Sequence, residues 1–573
     1  MPLPRLAARG LVASALLAIT LIPSATPAQM RASSEPPRTH APRPTSADIT
    51  VEDVRTRTYI IADDSMEGRD TGRRGGLRSA HYIAGELARL GFEPAGDKGT
   101  YLQRIPWVSR TPDTAGVLRA GSQTLRWGTD YLVLPKLGFA LALGGQPFGG
   151  GFRAENVPTV YGGQIGDAVI APDLVRDKVV VFASPVFPFW QRDNLRRYSA
   201  ARAIVVATLD LGAPSAFRVR RETYWDSTGA SGVAPLSVIS VTRAAATAMF
   251  STPFEQLAVG TAGVPLSGSV GFIDGPTEAP AYNVVGILRG SDPRLRNSYV
   301  AIGSHHDHVG MGPPVDHDSI RAFNQVVRVR GADDPPPKQV TDEQWAKIHA
   351  AIDSLHRVHG VRMDSIFNGA DDDGSGSVLA LEIAEAFAKA KPRPKRSLLF
   401  VWHTAEEKGL YGAQYYSDHP TVPRDSIVAQ VNMDQMGRGD PVDNPPGGPN
   451  ALVVIGPRRL STELGDLVET VNKRPENRFT LDYEFDRDND PTNAYCRSDH
   501  YMYARYGIPV VFFVAAAWYI DYHMVSDEPQ YIAYERMTHI GRFIHDYVAD
   551  VANLAHRPVV DKPKPEVNGL CRQ

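Results

Sequence analysis

YVAIGSHHDHVG at residues 299–310 joins a short apolar run to a loop dense in imidazoles, and SLLFVWHTAEEKGLYG at 397–412 repeats the arrangement with two adjacent glutamates. In each, a run of strand length and composition (Tyr299 to Ile302, Leu398 to Trp402) stops where chemistry-bearing residues begin. Similar runs follow at Ile427 to Val431, Leu452 to Ile455 and Val510 to Val514, and a helical pattern spans Val378 to Ala388. Strand-like runs alternating with helical ones predict an α/β fold with a mostly parallel mixed sheet flanked by helices. The loops at the carboxyl ends of such strands open a crevice, so the polar residues after each run lie where a site forms.

Upstream, Ala80, Tyr82, Ile83, Leu87 and Leu90 make an apolar stripe that stops at Gly91, an amphipathic helix in the N-terminal part of the same domain at 48–139. Residues 140–160 turn glycine-rich, and short β-like runs (Val179 to Phe182, Ala203 to Ala207, Leu236 to Ile239) then predict a separate β-rich insert at 140–277. The main domain resumes over 278–560 and leaves a tail at 561–573. A long insertion at 311–366 interrupts it. There Thr341 and Gln344 make a capping box, Trp345, Ile348, Ile352 and Leu355 an apolar face, and Gly360 a stop, so a helix is expected. The insertion reads either as a surface excursion or as a lid whose His317, Trp345, Asp316 or Asp318 touches substrate.

Arg5 and Arg9 precede an apolar run from Leu11 to Ile22, and the small residues of Ser24 to Ala28 follow, the pattern of an export signal at 1–28. That run is shorter than the roughly 20 residues a membrane span needs. Residues 29–47, with Pro36, Pro37, Pro42 and Pro44 among Ser, Thr and Arg, read as a disordered linker. No later stretch is apolar enough to span a bilayer, so a soluble chain exported to the periplasm or the exterior is expected, without a stable membrane anchor.

The 573 residues carry 61 basic and 64 acidic side chains, a formal charge of -3, with no Lys/Arg run longer than two. Nucleic acid is therefore not an expected partner. The 50 glycines and 45 prolines exclude a coiled coil or simple bundle. Two cysteines, Cys496 and Cys571, exclude a disulfide scaffold and leave open either one bridge or two thiols.

The polar loops supply a donor set. His305 and Asp307 form a His-x-Asp pair, in which the carboxylate can orient the ring of a ligating imidazole. Asp371, Asp372 and Asp373 repel one another unless a cation or a helix N-terminus neutralises them. Glu406 and Glu407 can divide labour, one ligating metal and the other acting as general base. Asp434 and His523 follow two further strand runs. Each is common alone as a capping or solvated residue; together His305, Asp372, Glu407, Asp434 and His523 make a nitrogen and oxygen set suited to zinc.

With GSHHDHVG at 303–310, NGADDDGSG at 368–376, TAEEKGLYG at 404–412, NMDQMG at 432–437, SDHYMYARYGIP at 498–509 and YHMVSD at 522–527, the chain resembles the co-catalytic zinc aminopeptidases of the bacterial leucyl aminopeptidase type. The resemblance implies a phosphorylase/hydrolase-like fold and identifies the β-rich insert as similar to a protease-associated domain. It implies two zinc ions bridged by Asp372, with His305 and Asp434 on one and Glu407 and His523 on the other. Asp307 would hold His305, and Asp499 or His500 would line the site. Glu406 would take the proton of a water between the ions, and the hydroxide would attack the first peptide bond of a peptide substrate. Asp373 stands where the family commonly has Asn, and Met524 where Thr often follows the ligand histidine.

The same metal site serves carboxypeptidases and dipeptidases, which need arginines for a substrate carboxylate; Arg321, Arg328, Arg330 and Arg497 are candidates. A binding homologue would lack ligands or base, and all six positions are filled. A glutaminyl cyclase of this family resembles a shorter, single-zinc domain without the insert. Oligomeric state leaves no mark in the sequence.

Overall fold

A computed structural model of the chain describes residues 37–133, 150–165, 167–184, 195–208, 210, 222–225, 236–250, 252–253, 256–334, 337, 339–439, 450–515 and 519–567. The expected signal at 1–28 and Cys571 lie outside the described residues; Cys496 is buried and disulfide-bonded.

Among the described residues the main sheet has nine strands. Its centre is a set of four parallel strands in the order Ser397–His403, Tyr299–His305, Ile427–Met433, Val510–Val514. Ala281–Leu288 pairs antiparallel on one side and Ala451–Ile455 on the other. Val300, Ile302, Leu398, Phe400 and Trp402 enter one core, while Tyr299, Ala301, Leu399 and Val401 enter a second on the opposite face. With both faces covered, the strands need apolar residues at every position, hence the unbroken apolar runs. Helices Val51–Ile61, Arg74–Arg89, Gly374–Lys389 and Tyr534–Asn553 cover the first face through Val54, Ile83, Leu379 and Ile540. Tyr411–Asp418 and His500–Ala504 cover the second through Tyr416 and Met502. Each such fully buried Leu, Ile or Phe contributes roughly 1.5–3 kcal/mol.

The second sheet runs Glu222–Trp225, Trp107–Asp113, Ala262–Gly275, Phe152–Gln164, Val179–Ala183, Ala203–Ala207, Val238–Val241, Tyr131–Val133. It claims strands from Trp107 onward, so the change of sheet precedes the compositional change at 140. Trp107–Asp113 is committed to it by pairing with Ala262–Gly275, a long-range choice that composition does not encode.

The proline-rich segment also departs from its reading as a disordered linker. Over its described part it has no helix or strand, yet His40 bonds Thr56 at 3.0 Å, Ser46 bonds Asp53 at 2.7 Å and Thr45 donates to Glu385 at 2.6 Å. Side-chain hydrogen bonds order a stretch that apolar burial could not.

Glu385 belongs to a buried cluster in which Arg57 faces Glu382, Glu385 at 2.6 Å and Glu86 at 2.9 Å. Arg89 adds a second guanidinium, 2.7 Å from Glu86 and 2.9 Å from Glu385, and the two cations still leave three carboxylates one short of neutral. Burial pushes Glu382 up to about 8 from the ordinary 4.5, against the pull of Arg57. Folded Glu382 therefore keeps a proton that the unfolded chain releases, and its contribution is complete below pH 4.5 and lost as pH rises toward 8. Thermal melts from pH 5 to 8 should show wild-type stability falling by on the order of a few kcal/mol more than that of Glu382→Gln; parallel curves would refute this.

In the 311–366 insertion the helix is Asp342–His359, with both capping-box bonds of Thr341 and Gln344 formed and Gly360 at φ 75° as its stop. Ile348 is buried, but Trp345 is 40% exposed. Among the described residues no helix is long and apolar enough to cross a membrane.

Candidate metal centre

The five expected metal ligands and Glu406 meet at the carboxyl ends of the parallel strands. His305 closes the strand Tyr299–His305, Asp434 follows Ile427–Met433, and Asp372 immediately precedes the N-cap of Gly374–Lys389. After Ser397–His403 the chain turns sharply, with Ala405 at φ 58° and its N–H donating to Thr71 at 3.0 Å. The adjacent glutamates then diverge. Glu406 Oε2 lies 3.9 Å from His305 Nε2, whereas Glu407 Oε2 lies 2.9 Å from His523 Nε2.

Asp372 faces both groups, with Oδ1 3.3 Å from His305 Nε2 and Oδ2 2.9 Å from His523 Nε2. Asp434 Oδ1 is 3.6 Å from His305 Nε2, and its other oxygen accepts from Ser498 at 2.9 Å. Nε2 of both histidines, Oδ1 of Asp434 and Oε1 of Glu407 are buried without a hydrogen-bond partner. Ligand atoms that converge at such distances without hydrogen-bond geometry fit cations placed between them, one beside His305, Asp372 and Asp434 and one beside Asp372, Glu407 and His523.

Asp373 also lies within reach of His305 and Asp434. Its oxygens, however, accept from the backbone N–H groups of His305 at 3.1 Å, Gly376 at 2.8 Å and Gln435 at 3.3 Å, which makes it a cap rather than a ligand.

The electrostatics have the same sense. Burial alone would lower the His523 imidazole, but Glu407 and Asp372 raise it to about 10, and His305 is likewise pushed well above its ordinary value by Glu406 and Asp434. Burial would raise Asp372 and Glu407, yet the histidines hold Asp372 well below the carboxylate range and Glu407 at about 2. Glu406 rises well above its ordinary value because burial and the carboxylates of Asp434 and Glu407 outweigh His305. A buried set that draws protons onto its imidazoles is a set that favours cations.

Asp307 does more than the sequence reading assigned to it: its carboxylate stands 3.6 Å from His305 Nδ1. Its carboxylate accepts from the Glu406 N–H and from Thr71, both at 3.1 Å, and the bond to His305 Nδ1 is made by its backbone carbonyl at 3.1 Å. Asp307 thus fixes the backbone of Glu406 as well as the ring of His305. Asp499 packs 3.1 Å from His403 and His500 stacks on Phe512, so neither lines the cavity. The cavity, about 760 Å³ and open to solvent, is lined by Asp372, Glu406 and Asp434, by an apolar wall, and by Arg330 and Asp333 of the insertion. The insertion residues singled out in the sequence are engaged elsewhere: Asp316 with His356, Asp318 with Arg362, His317 against Tyr531 and Trp345 against His349.

Residues 283–548 match the profile of peptidase family M28. Over that span, somewhat less than half of its length, the chain is similar to peptidase family M28. A stretch of 85 residues is 39% identical to leupeptin-inactivating enzyme 1 of Streptomyces exfoliatus, covering 14% of this chain and 19% of that enzyme. A longer match, 26% over 246 residues, joins 39% of this chain to 60% of leucine aminopeptidase 1 of Fusarium vanettenii. The chain thus spans less than two thirds of the length of the first curated relatives it matches. The aminopeptidase from Aneurinibacillus sp. strain AM-1 aligns over 90% of this chain and 98% of its own at 16% identity, with a TM-score of 0.47.

Three residues that hold the site together escaped the sequence reading. Arg69, fully buried, donates to the carbonyls of His306 at 3.0 Å, Gly369 at 2.7 Å, Asp372 at 3.2 Å and Asn368, tying two ligand loops together. Asp527 accepts from the N–H groups of Asp371 and Asp372 at 3.1 Å and from Arg438 at 3.0 Å. His308 lies 2.7 Å from Glu407 Oε1 with its ring centroid 5.4 Å from that of His523, so its donor nitrogen groups with Asp372, Glu407 and His523. The only sequence signal for the last two was their membership of motifs that also carry ligands.

Proposed function

We propose that this chain is an exported zinc aminopeptidase that hydrolyses the N-terminal peptide bond of peptides. The observation that carries the reading is the convergence of His305, Asp372, Asp434, Glu407 and His523 at one cavity, beside a sixth side chain, Glu406, that is not needed as a ligand. Two zinc ions held there, sharing Asp372, would polarise the peptide carbonyl and acidify a water. Glu406 takes the proton of the attacking water and returns it to the departing amine, a transfer that needs its carboxylate at the cavity wall and its backbone fixed by Asp307. Asp307 and Ser498 orient the donors. The second sheet is, in this reading, a protease-associated domain, and the names aminopeptidase and leucine aminopeptidase borne by matched relatives accord with the assignment.

The arginines favour an aminopeptidase over a carboxypeptidase or dipeptidase. Arg321 lies 3.3 Å from Asp521 and over the Tyr531 ring, Arg328 donates to the Asp334 carbonyl at 3.1 Å, Arg330 pairs with Asp334 at 2.7 Å and Arg497 with Asp333 at 3.1 Å. Each candidate for holding a substrate carboxylate is already engaged within the chain.

The test offers one peptide series with a free amino terminus, a blocked amino terminus and an amidated carboxyl terminus. Blocking the amino end should abolish cleavage while amidation leaves it intact; dependence on the free carboxylate would replace the reading with a carboxypeptidase, and silence on all three with a binding protein.

A further inference from the structure

The cavity has two chemically different walls. Val453 and Ile455 stand opposite Val514 and Phe512 across an antiparallel pair, so strand alternation puts all four on one face, where Phe485 joins them. These five side chains form an apolar pocket beside Glu406 and Asp434 that fits a large aliphatic or aromatic group. The other wall is polar. Arg497 stands there, and its Nη2 donates to both oxygens of Asp333, at 3.2 and 3.1 Å.

Asp333 comes from the 311–366 insertion, and its position is fixed against the metal-site loop. The turn Gly331–Asp333 packs on Tyr522: the Ala332 N–H donates to the Tyr522 carbonyl at 3.0 Å, and Gly331 sits at φ 55° with no room for a Cβ, which would meet that carbonyl oxygen at 2.7 Å. Tyr522 in turn stacks on His523 with ring centroids 4.0 Å apart. The turn therefore reaches the site through backbone contacts rather than through mobile side chains, and it delivers one carboxylate to one guanidinium.

Resting on the aminopeptidase reading, we propose that Asp333 is a specificity-determining residue: by neutralising Arg497 it reserves the cavity for peptides whose first side chain is large and apolar and excludes acidic ones. A guanidinium without its carboxylate at the wall of a half-buried pocket attracts a substrate carboxylate, and selectivity against that substrate is achieved by filling the position from within. The insertion then acts as a wall of the substrate site.

The test compares kcat/KM for the leucine, phenylalanine and glutamate p-nitroanilides in the wild type, Asp333→Asn, Asp333→Glu and the double variant Asp333→Asn/Arg497→Met. The wild type should favour leucine or phenylalanine over glutamate. Asp333→Asn should raise the glutamate-to-leucine ratio by at least about tenfold, mainly through KM. Asp333→Glu should keep the wild-type ratio, and the double variant should return to it. An unchanged ratio in an active Asp333→Asn enzyme, or a wild type that prefers glutamate, overturns the proposal and leaves the aminopeptidase reading standing. Wild-type silence on all three free-amine substrates overturns both.

Discussion

With two ions held at the metal centre as proposed, Asp372→Ala should lose both and, with them, the proposed peptide hydrolysis, whereas a change at either flanking ligand should empty one position first. The expectation follows from geometry. Asp372 is the one carboxylate whose two oxygens face the two imidazoles separately, at 3.3 Å from His305 and 2.9 Å from His523. Its placement is rigid, since its N–H donates to Asp527 and its carbonyl accepts from Arg69. Removing it leaves His305 and Asp434 on one side and Glu407 and His523, with His308 beside them, on the other, and takes from both halves the carboxylate they share. The loss in kcat/KM should be on the order of 10⁴-fold or more, about 5–6 kcal/mol at 1.36 kcal/mol per decade. Metal content of the purified variant, by elemental analysis, should fall from two equivalents toward none, and chelation of the wild type should reproduce the loss of activity reversibly. Two retained equivalents in Asp372→Ala, or wild-type activity indifferent to a strong chelator, would remove the metal centre from the account.

The sequence was most legible where local chemistry coincided with strand ends. The run Val510 to Val514 reads as a buried strand because both its faces are covered, and the structure gives that strand its expected limits. The donors were readable for the same reason: a parallel sheet presents its carboxyl ends together, so His305, Glu407 and Asp434 could be expected to meet. What escaped were interactions made through backbone or across long sequence separations. Arg69 works by donating to carbonyls, which every residue has, so nothing in the sequence around its targets marks them. Asp333 reaches Arg497 across an insertion whose packing depends on a backbone bond to Tyr522. Trp107–Asp113 has the pattern of any half-buried strand, and only its distant partner assigns it to the second sheet.

Glu406→Gln should separate catalysis from binding. The amide keeps the shape and the bond from the Glu406 N–H to Asp307, but it cannot accept a proton. Glu406 Oε2 is farther from the His305 nitrogen than the oxygens of Asp372 or Asp434, at 3.9 Å against 3.3 and 3.6 Å, and it lines the cavity where an attacking water would stand. A group in that position contributes to the transition state and little to holding substrate or ions. The variant should therefore lose about 10²–10⁴-fold in kcat, the range for removing a positioned general base. KM should change little, since loss confined to kcat marks an interaction made only in the transition state. Metal content should stay at the wild-type level, and this distinguishes the base from the ligand Glu407, whose replacement by Gln should weaken metal retention. If Glu406→Gln loses metal as Glu407→Gln does, the two glutamates have been assigned the wrong way round. If it turns over at the wild-type rate with full metal content, proton transfer belongs to another group, and the division of labour between the adjacent glutamates fails.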